Sequence, residues 1–502
     1  MTYQRPGVYI SERVLPAPIA ATGTANAAGA LVAELAQGPT AVTLVSTWYD
    51  FVKLYGGYNA AFPATFSVGQ YFQNGGGDLY VRRVLHDDAG AASVSIPKGV
   101  GVGSIGSISA KTLGADGNNL RVQITKGSNG WNVTVYKEGV AGTSSNVSND
   151  IVLEVFNNLV FDDATSTSFV NTVTNLESQY VLFNVTDTTV VPSTAVLPLT
   201  GGTNGTAVTE ADYEAVLGDF DIIERPLVFF GGEVLHANAL GAVDGATFLS
   251  SLVTYVGTGK NFVIVDVPAG TSVATAITSV PVSKNAAAYY PSYYINDPVG
   301  RSSASIRLIG PSGAMAGIYL ATDRAKGPFK APAGTGSRIA GAVALESSLT
   351  SAQLDILNTG LNGDTVGSPI NAIRNVTGAG IVPMGTRTLL DDGTADRYLN
   401  MRRSLIYIKS NLELITQFAL FENNNEVLWS RIATVITVFL NQYRNVGGLR
   451  GSTPAQAFYV KIDSQNNTAA TIAAGQVNIE VGVALQYPAE FIVINLSQKT
   501  AV

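Results

Sequence analysis

The 502-residue sequence contains no cysteine and only two histidines, His86 and His236. The lack of cysteine excludes a disulfide framework, a thiolate zinc site and a cysteine nucleophile. With two histidines, the commonest general bases and metal ligands are scarce too, and we expect each histidine to be an ordinary surface or packed side chain. The composition therefore favours neither an enzyme nor a metal protein, and we expect no cofactor.

Charged residues and long apolar runs are also scarce. Charged residues make up 13 % of the chain, where about a quarter is usual. No apolar run approaches the ~18 residues that cross a bilayer, and the N-terminus lacks the basic and apolar layout of a secretory signal. We therefore expect a soluble protein that folds in a cytoplasm, without membrane insertion. A pI near 5.0 argues against direct binding of nucleic acid, which calls for a basic surface.

The length allows about three domains of ~150 residues, and the sequence changes character along the chain. Residues 100–210 are rich in Thr, Ser, Asn, Gly and Val with short alternating runs, which predicts a β-rich domain. The GxGxxG run at 101–106 leads into no helix and is interpreted as a flexible linker. From Glu210 to about Met384, apolar strands alternate with amphipathic helices, which predicts an α/β domain around a mostly parallel sheet. Pro and Gly between Tyr289 and Ala333 predict long ordered loops.

The C-terminal part carries the two strongest helix patterns, near residues 401–415 and 428–443. Asn424 or Asn425 can cap the second helix, and Arg444 near its end suits the helix dipole. Residues 396–450 hold 7 Lys and Arg against 4 Asp and Glu in an otherwise acidic protein. These basic side chains, among them Arg431, Arg444 and Arg450, face either solvent or an acidic partner.

The last residues of the chain contain an apolar strand formed by Phe491, Ile492, Val493 and Ile494. Burying these side chains and Leu496 is worth roughly 7–15 kcal/mol, at ~1.5–3 kcal/mol each. A chain end frays by default, so the strand needs a partner. It belongs either to an internal sheet or to a sheet of a neighbouring subunit, where it would satisfy main-chain groups.

Two motifs keep an enzyme open as the alternative function. Lys260 follows a glycine and precedes a strand, but a phosphate loop requires a glycine where Thr254 stands and Ser or Thr where Asn261 stands. Ser312 lies in a glycine-rich turn, but Ala314 replaces the second glycine of a nucleophile elbow. The alternatives are therefore a nucleotide-binding protein around Lys260 or a degenerate hydrolase around Ser312. A surface adhesin, a third class, would require an export signal.

Taken in order, a series of short motifs resembles the contractile tail sheath proteins of bacteriophages and of related injection machines such as R-type pyocins. The resemblance spans nearly the whole chain except residues 100–210, where it thins to 110–120. The motifs include Pro6–Glu12, Gln37–Pro39, Thr47–Phe51, Phe72–Gly76, Tyr80–Val84, Leu199–Gly202, Pro311–Gly317, Gly385–Thr388, Phe421–Asn424 and Pro488–Phe491.

The resemblance implies an α/β and α+β multidomain fold with arms that exchange strands. The implied parts are an N-terminal arm (1–22), the N-terminal part of a sheath core (23–95), a β-rich inserted outer domain (96–208), a middle α/β domain (209–384), a C-terminal α+β core domain (385–479) and a C-terminal arm (480–502). The family's middle domain is similar in fold to subtilisin, but this sequence offers no catalytic triad, so we expect no enzymatic activity.

The resemblance further implies a structural subunit of the virion tail, assembled in the cytoplasm of a host bacterium. Such subunits polymerise as stacked hexameric rings around an inner tail tube, and contract to drive the tube through the host envelope for genome ejection. The implied partners are other copies of the chain, the inner tail tube protein, and baseplate and tail terminator proteins. By resemblance, Val8, Tyr9 and Ile10 in one arm and Phe491–Ile494 in the other add strands to adjacent subunits. A basic C-terminal helix touches the tube, which makes Arg431, Arg444 and Arg450 candidate contacts.

Overall fold

A computed structural model describes residues 26–138, 147, 150–231, 245–300, 302 and 305–490. These residues form two compact units. The main unit comprises Ala27–Ile406 and residues 487–490, and the C-terminal unit comprises Tyr407–Gln486 with Asn26. Several residues singled out in the sequence lie outside the described ranges, namely Val8, Tyr9, Ile10, His236 and Phe491–Ile494.

The main unit contains most of the secondary structure. Its first part comprises β1 (Ala28–Glu34), β2 (Thr43–Val45), α1 (Trp48–Tyr55), α2 (Ala64–Gln73) and β3 (Leu79–Val84). A β-rich region follows, with β4 (Ser93–Pro97), β5 (Ser104–Ala110), β6 (Leu120–Lys126), β7 (Trp131–Lys137), β8 (Ile151–Leu159), α3 (Val170–Glu177), β9 (Val181–Val185) and β10 (Ala195–Pro198).

The chain then returns to helices and strands in alternation. These are α4 (Glu210–Ala215), β11 (Leu227–Phe230), α5 (Gly245–Thr258), β12 (Phe262–Asp266), α6 (Val273–Ser279), β13 (Ala286–Tyr290), β14 (Tyr293–Asn296), β15 (Ile306–Ile309), α7 (Ser312–Ala325), β16 (Ala342–Leu345), α8 (Ser351–Thr359), β17 (Leu361–Asn362), β18 (Thr365–Val366), β19 (Asn371–Val376) and β20 (Gly380–Pro383). Helix α9 (Leu399–Thr416) begins in the main unit. The C-terminal unit adds α10 (Glu426–Asn445), α11 (Pro454–Ala457), β21 (Phe458–Lys461), α12 (Ala469–Ala473) and β22 (Glu480–Val483).

An eight-stranded sheet in the order β2-β3-β1-β11-β12-β13-β19-β20 is the centre of the main unit. Neighbouring strands from β3 to β19 are parallel, and β2 and β20 add antiparallel edges. Alternate residues of each strand contribute to two apolar cores, one shared with α2 and α7 and the other with α4, α5, α6 and α8. A parallel sheet covered on both faces explains why its strands are apolar throughout.

The sheet joins two stretches that the sequence assigned to different domains, 23–95 and 209–384. Strand β1 pairs in parallel with β11, with Ala28 opposite Leu227 and Ala30 opposite Phe229. The observed division therefore differs from the predicted one. The reason is that β1 and β11 are both apolar and can be buried only between other strands, a pairing that local periodicity does not reveal.

The β-rich region forms two antiparallel sheets around an apolar core of its own, which includes Ile108, Val133 and Phe183. One sheet has the order β4-β5-β9 and the other the order β10-β6-β7-β8. The prediction of a flexible linker at 101–106 is wrong, because β5 begins at Ser104 and pairs with β4 as a hairpin.

Arg83 joins the β-rich region to the central sheet. Its side chain is fully buried, and its guanidinium donates to the carbonyl oxygens of Leu35 (2.9 Å), Ala36 (3.3 Å), Gly38 (3.0 Å) and Leu113 (2.7 Å). Burial lowers the pKa of Arg83 to about 10, still far above neutrality. The charged side chain therefore donates to four carbonyls, three in the segment after β1 and one in the β-rich region.

The prediction of long loops between Tyr289 and Ala333 is wrong, because α7 occupies Ser312–Ala325. A Cβ atom on Gly313 would lie 2.2 Å from the carbonyl oxygen of Ser67, and one on Gly317 would lie 2.4 Å from that of Tyr71. The two glycines thus let α7 approach the backbone of α2. Glycine is a poor helix former, so the helix depends on this tertiary contact.

We predict that Gly317→Ala lowers the free energy of unfolding by about 1–3 kcal/mol, because its Cβ would push α7 away from α2. Gly257→Ala, in α5, is the matched control, since its Cβ would meet no atom within 4 Å. The control should gain about 0.5–1 kcal/mol from helix propensity. Urea unfolding of both variants measures the difference. Equal stability of Gly317→Ala and the unchanged chain would contradict the close approach of the two helices.

Candidate strand-exchange site and basic helix

Helix α10 is the second helix predicted from the C-terminal pattern, and its capping is confirmed. The Asn425 side chain accepts a hydrogen bond from the Leu428 amide at 3.0 Å, and Glu426 and Arg444 occupy the first and last turns. Its buried face consists of Leu428, Trp429, Ile432, Ile436, Phe439, Leu440 and Tyr443, whereas the predicted stripe residue Val435 is half-buried. The polar side of the helix is therefore exposed within the C-terminal unit.

The structure does not bring the three predicted tube-contact arginines into one group. Arg431 is exposed, with its guanidinium 4.5 Å from the centre of the Phe418 ring. Arg444 instead donates to the Ser452 carbonyl and to the Asn445 side chain, both at 3.0 Å. Thirteen residues separate Arg431 from Arg444, which places them about 140° apart around the helix. Arg450 is exposed in the segment after the helix.

A small antiparallel sheet, β21–β22, lies in the same unit. Its register pairs Phe458 with Val483 and Tyr459 with Gly482. The Tyr459 ring covers Gly482, where an added Cβ would be 2.1 Å from the ring, and the Tyr459 hydroxyl donates to Glu480 at 2.7 Å. The aromatic ring thereby supplies the packing that glycine lacks on this face.

Within the described residues, the β21–β22 sheet has only two strands, and both outer edges lack a strand partner. The Ala484 amide donates to the Ala457 carbonyl at 2.8 Å in register with the sheet. The alternation of an antiparallel ladder then directs the main-chain groups of Val481 towards the outer edge of β22. Just after β22, the Arg450 amide donates to the Ala484 carbonyl at 2.8 Å. The sheet packs on α10 and α11, and its outer edges could accept a further strand.

The predicted C-terminal arm, 480–502, is partly bound within its own chain. Residues 480–483 are β22, and residues 487–490 belong to the main unit. There the Glu490 carboxylate pairs with the Arg387 guanidinium, with Nη2 and Oε2 2.9 Å apart. The prediction that the arm starts at residue 480 is therefore wrong, because β22 finds its partner in β21. Residues 491–502 lie outside the described residues.

Ser312, the basis of the hydrolase alternative, is a buried structural residue. Its amide donates to one oxygen of the Asp266 carboxylate at 2.6 Å, and its hydroxyl donates to the other. Both side chains are almost completely excluded from solvent. The carboxylate thus holds the first turn of α7 against the end of β12, and no substrate can reach the hydroxyl without unfolding of this contact.

Lys260, the basis of the nucleotide-binding alternative, lies in the turn between α5 and β12. The next residue, Asn261, accepts a hydrogen bond from the Leu227 amide at 3.0 Å, so its side chain ties β11 to this turn. The interpretation of this segment as a turn leading into a strand is confirmed.

The remaining polar cluster consists of His86, Asp87 and Asp88, which in the described part of the chain lie close enough to offer ligands to a metal ion. His86 Nδ1 lies 2.7 Å from Asp88, and that hydrogen bond raises the histidine pKa. Asp88 also accepts from the Thr206 amide at 2.9 Å. These contacts account for the cluster as an ordered surface turn. In the same described ranges, no helix combines the length and apolarity needed to cross a bilayer.

The fold is that of contractile sheath proteins. The helical sheath of the anti-feeding prophage in its contracted state matches with a TM-score of 0.60 at 21 % identity, covering 99 % of this chain and 100 % of that one. The PVC sheath complex of an extracellular contractile injection system, also contracted, gives 0.59 at 20 % identity and 99 % of both chains. The sheath tail protein of Listeria innocua gives 0.62 at 14 % identity, covering 88 % and 89 %.

The sequence carries the same signal in its C-terminal part, where residues 391–499 match the family described as phage tail sheath C-terminal domain. The tail sheath protein of Salmonella phage ViI is 27 % identical over 128 residues, which are 26 % of this chain and 19 % of that protein. The tail sheath protein of Vibrio phage KVP40 is 26 % identical over 190 residues, 38 % of this chain and 26 % of that protein. The matches thus span about a fifth to a quarter of these relatives.

These comparisons confirm the resemblance to contractile tail sheath proteins and the mixed α/β multidomain fold that the motifs predicted. The named relatives are structural proteins of sheaths. The alternation of Val481 and Val483 with Glu480 and Gly482 predicts strand β22. Its pairing with β21 could not be predicted from periodicity, because a four-residue strand such as β21 leaves a weak pattern.

We predict that Ser312→Ala lowers the free energy of unfolding by about 1–3 kcal/mol, because it leaves the buried Asp266 carboxylate with one donor fewer. Ser250→Ala, at an exposed position of α5, is the control and should change stability by less than about 0.5 kcal/mol. Urea unfolding measures both. A stable Ser312→Ala variant that loses an ester-hydrolysing activity would instead support the hydrolase alternative.

Proposed function

We propose that this protein is the structural subunit of a contractile tail sheath, which polymerises as stacked hexameric rings around an inner tail tube. Contraction of the sheath drives the tube through the host envelope. The observation that carries the proposal is the β21–β22 sheet, whose outer edges have no strand partner within the described residues. The apolar run Phe491–Ile494, which the sequence predicts to form a strand, is of the kind that can join such an edge.

Strand exchange follows from the chemistry of the two parts. An added strand satisfies main-chain groups on the edge it joins, and its apolar side chains leave water. Burial of five apolar side chains at the C-terminus is worth roughly 7–15 kcal/mol, which is enough to hold neighbouring copies together during a rearrangement. In this proposal the segment 1–22, through Val8, Tyr9 and Ile10, and the segment 491–502 are the donated arms.

Contraction needs no nucleotide in this proposal. If each subunit gains a few kcal/mol on repacking, copies linked by exchanged strands add their contributions along the whole sheath. The β-rich domain, predicted at 96–208, faces outward, and the middle domain, predicted at 209–384, keeps a subtilisin-like arrangement without catalytic function. The tail tube, the baseplate and the tail terminator are the proposed partners, with assembly in the bacterial cytoplasm.

The tube contact is assigned to the exposed side of α10 in this proposal. Arg431 is the best of the three candidate residues because its guanidinium is exposed, whereas that of Arg444 is bound to Ser452 and Asn445. Arg450, exposed beyond the helix, is the second candidate. The partner surface on the tube is expected to be acidic.

We predict that deletion of residues 491–502 leaves a folded subunit that does not form sheath tubes. The melting temperature should stay within a few degrees of the full chain, since in this proposal these residues pack on a neighbouring copy and not on their own subunit. Negative-stain microscopy of the protein incubated with its tail tube measures tube formation. Tubes of normal length and diameter from the truncated chain would contradict donation of the C-terminal strand.

The outer edge of β22, the proposed acceptor of a donated strand, can be tested by placing a proline on it. Val481→Pro removes an outward-facing amide that its own ladder does not use, so the subunit should fold but form at least tenfold fewer tubes. Gly482→Pro is the matched control, because its amide faces β21 and its loss should destabilise the small sheet itself. Normal assembly by Val481→Pro would exclude the edge of β22 as an acceptor.

We predict that Arg431→Glu weakens binding of the subunit to tail tubes at least tenfold at low salt, and that added salt reduces the difference. Opposite charges at an exposed interface attract through solvent, and ions screen them over a Debye length of ~10 Å at 0.1 M. Arg374→Glu, an exposed position on β19, changes the net charge equally and serves as the control. Co-sedimentation with tubes measures binding. Equal binding by both variants would remove Arg431 from the contact.

A further inference from the structure

We propose that the Arg387–Glu490 ion pair is a clasp that fixes the point from which the C-terminal segment leaves its own subunit. By fixing this point, the clasp sets the register in which residues 491–502 join a neighbouring copy. The inference rests on the proposed function, since it concerns how a donated strand is positioned. Arg387 and Glu490 act here as positioning residues.

The pair has the geometry of a strong, oriented contact. Arg387 Nη2 lies 2.9 Å from Glu490 Oε2, and Nε lies 3.3 Å from Oε1. The side chains of Arg387 and Glu490 are only 8 % and 13 % exposed. Two parallel hydrogen bonds between a planar guanidinium and a carboxylate fix direction as well as distance, and the exclusion of water strengthens them. The contact therefore holds Glu490 at one place and in one orientation.

The backbone of Arg387 is itself held in place by hydrogen bonds to the Asn371 side chain. Its amide donates to the Asn371 side chain at 2.8 Å, and that side chain donates back to the Arg387 carbonyl at 2.8 Å. Asn371 is buried and is the first residue of β19, a strand of the central sheet. The clasp is thus anchored to the most extensive structure of the main unit and moves with it.

The charges around the clasp are balanced. Arg387 Nη1 also contacts Asp391 at 3.2 Å, and the Asp391 carboxylate contacts Arg397 at 3.4 Å. Two guanidinium groups therefore face two carboxylates. The balance matters because an unpaired charge at such low exposure would carry a large desolvation penalty.

A second contact holds the other end of the same short segment. The rings of Tyr487 and Tyr398 meet edge to face with centroids 5.9 Å apart. Tyr398 also lies under the guanidinium of Arg387, at 6.0 Å from its ring centre. Residues 487–490 are therefore fixed at both ends, by an aromatic contact and by an ion pair.

The register follows from chain length. With the clasp closed, each residue after Glu490 lies within about 3.6 Å per position of a fixed origin. If the ion pair breaks, residues 487–490 are no longer held. The free segment then starts after Gln486 and is four residues, or about 14 Å, longer. A slip of one residue would exchange the two faces of a donated strand, so that Phe491 and Val493 would take the places of Ile492 and Ile494. A fixed origin removes that freedom before the neighbouring copy is met.

Two single-glycine insertions test the inference. An insertion between Glu490 and Phe491 lies beyond the clasp, so it should shift the donated register by one residue and reduce regular tubes at least tenfold. An insertion between Gln486 and Tyr487 lies before the clasp, so it should be absorbed upstream and leave tube formation within twofold of the unchanged chain. Microscopy of each variant with tail tubes measures the difference.

A conservative substitution gives a local readout that does not depend on assembly. Glu490→Gln removes the charge but keeps the shape, and should speed hydrogen exchange of the amides of Tyr487, Ala489 and Glu490 at least tenfold without changing exchange in β12. It should also yield fewer and irregular tubes. Glu177→Gln, at an exposed position of α3, makes the same change in net charge and should behave as the unchanged chain.

The outcomes separate the two proposals. Failure of the unchanged chain to form tubes would overturn the proposed function and with it the register role of the clasp. Regular tubes from the unchanged chain, with equal effects of the two insertions or normal tubes from Glu490→Gln, would overturn the clasp alone. Unchanged hydrogen exchange at 487–490 in Glu490→Gln would show that the ion pair does not hold the segment.

Discussion

The parallel pairing of β1 with β11 is the constraint on which the rest of the main unit depends. It brings Ala28–Ala30 beside Leu227–Phe229, almost two hundred residues away in the sequence. Any chain between these strands must leave the central sheet and return to it. The β-rich region meets this condition by folding around its own apolar core. An insertion of this kind can change in length and sequence without disturbing the sheet, which explains why the family motifs thin out there.

Arg83 shows how such an insertion is kept in place. Its guanidinium binds carbonyls of the segment after β1 and the carbonyl of Leu113, which lies between β5 and β6. Gly114 follows with a φ of 116°, and a Cβ there would lie 2.7 Å from the guanidinium. The motif at 110–120, the part of the β-rich region that resembles sheath proteins, thus coincides with the segment that contacts Arg83. A buried cation that satisfies carbonyls from two regions couples their folding, because neither set of carbonyls is satisfied alone.

Sequence reasoning succeeded where the determinants are local. The Asn425 cap of α10 involves residues only three apart in the sequence, and it is present. It failed where the determinant is distant in sequence. Helix α7 packs on the backbone of α2, a contact that residues 312–325 do not reveal, and its glycines with the flanking Pro311 and Pro328 resemble a loop. The Arg387–Glu490 pair joins residues 103 positions apart. The motifs that contain them, Gly385–Thr388 and Pro488–Phe491, can be recognised in the sequence, but their contact cannot be predicted from it.

The edges of the sheets indicate where another chain can join. Strand β2 is only three residues long, β20 is covered by the Gly334 and Ile339 amides, β8 carries two bulges, and β10 ends in a proline. Each of these features discourages strand addition. The strands β21 and β22 contain no proline and no bulge, and the described residues leave their outer edges without a strand. These four described edges therefore differ from the outer edges of β21 and β22, which is consistent with the strand exchange proposed above.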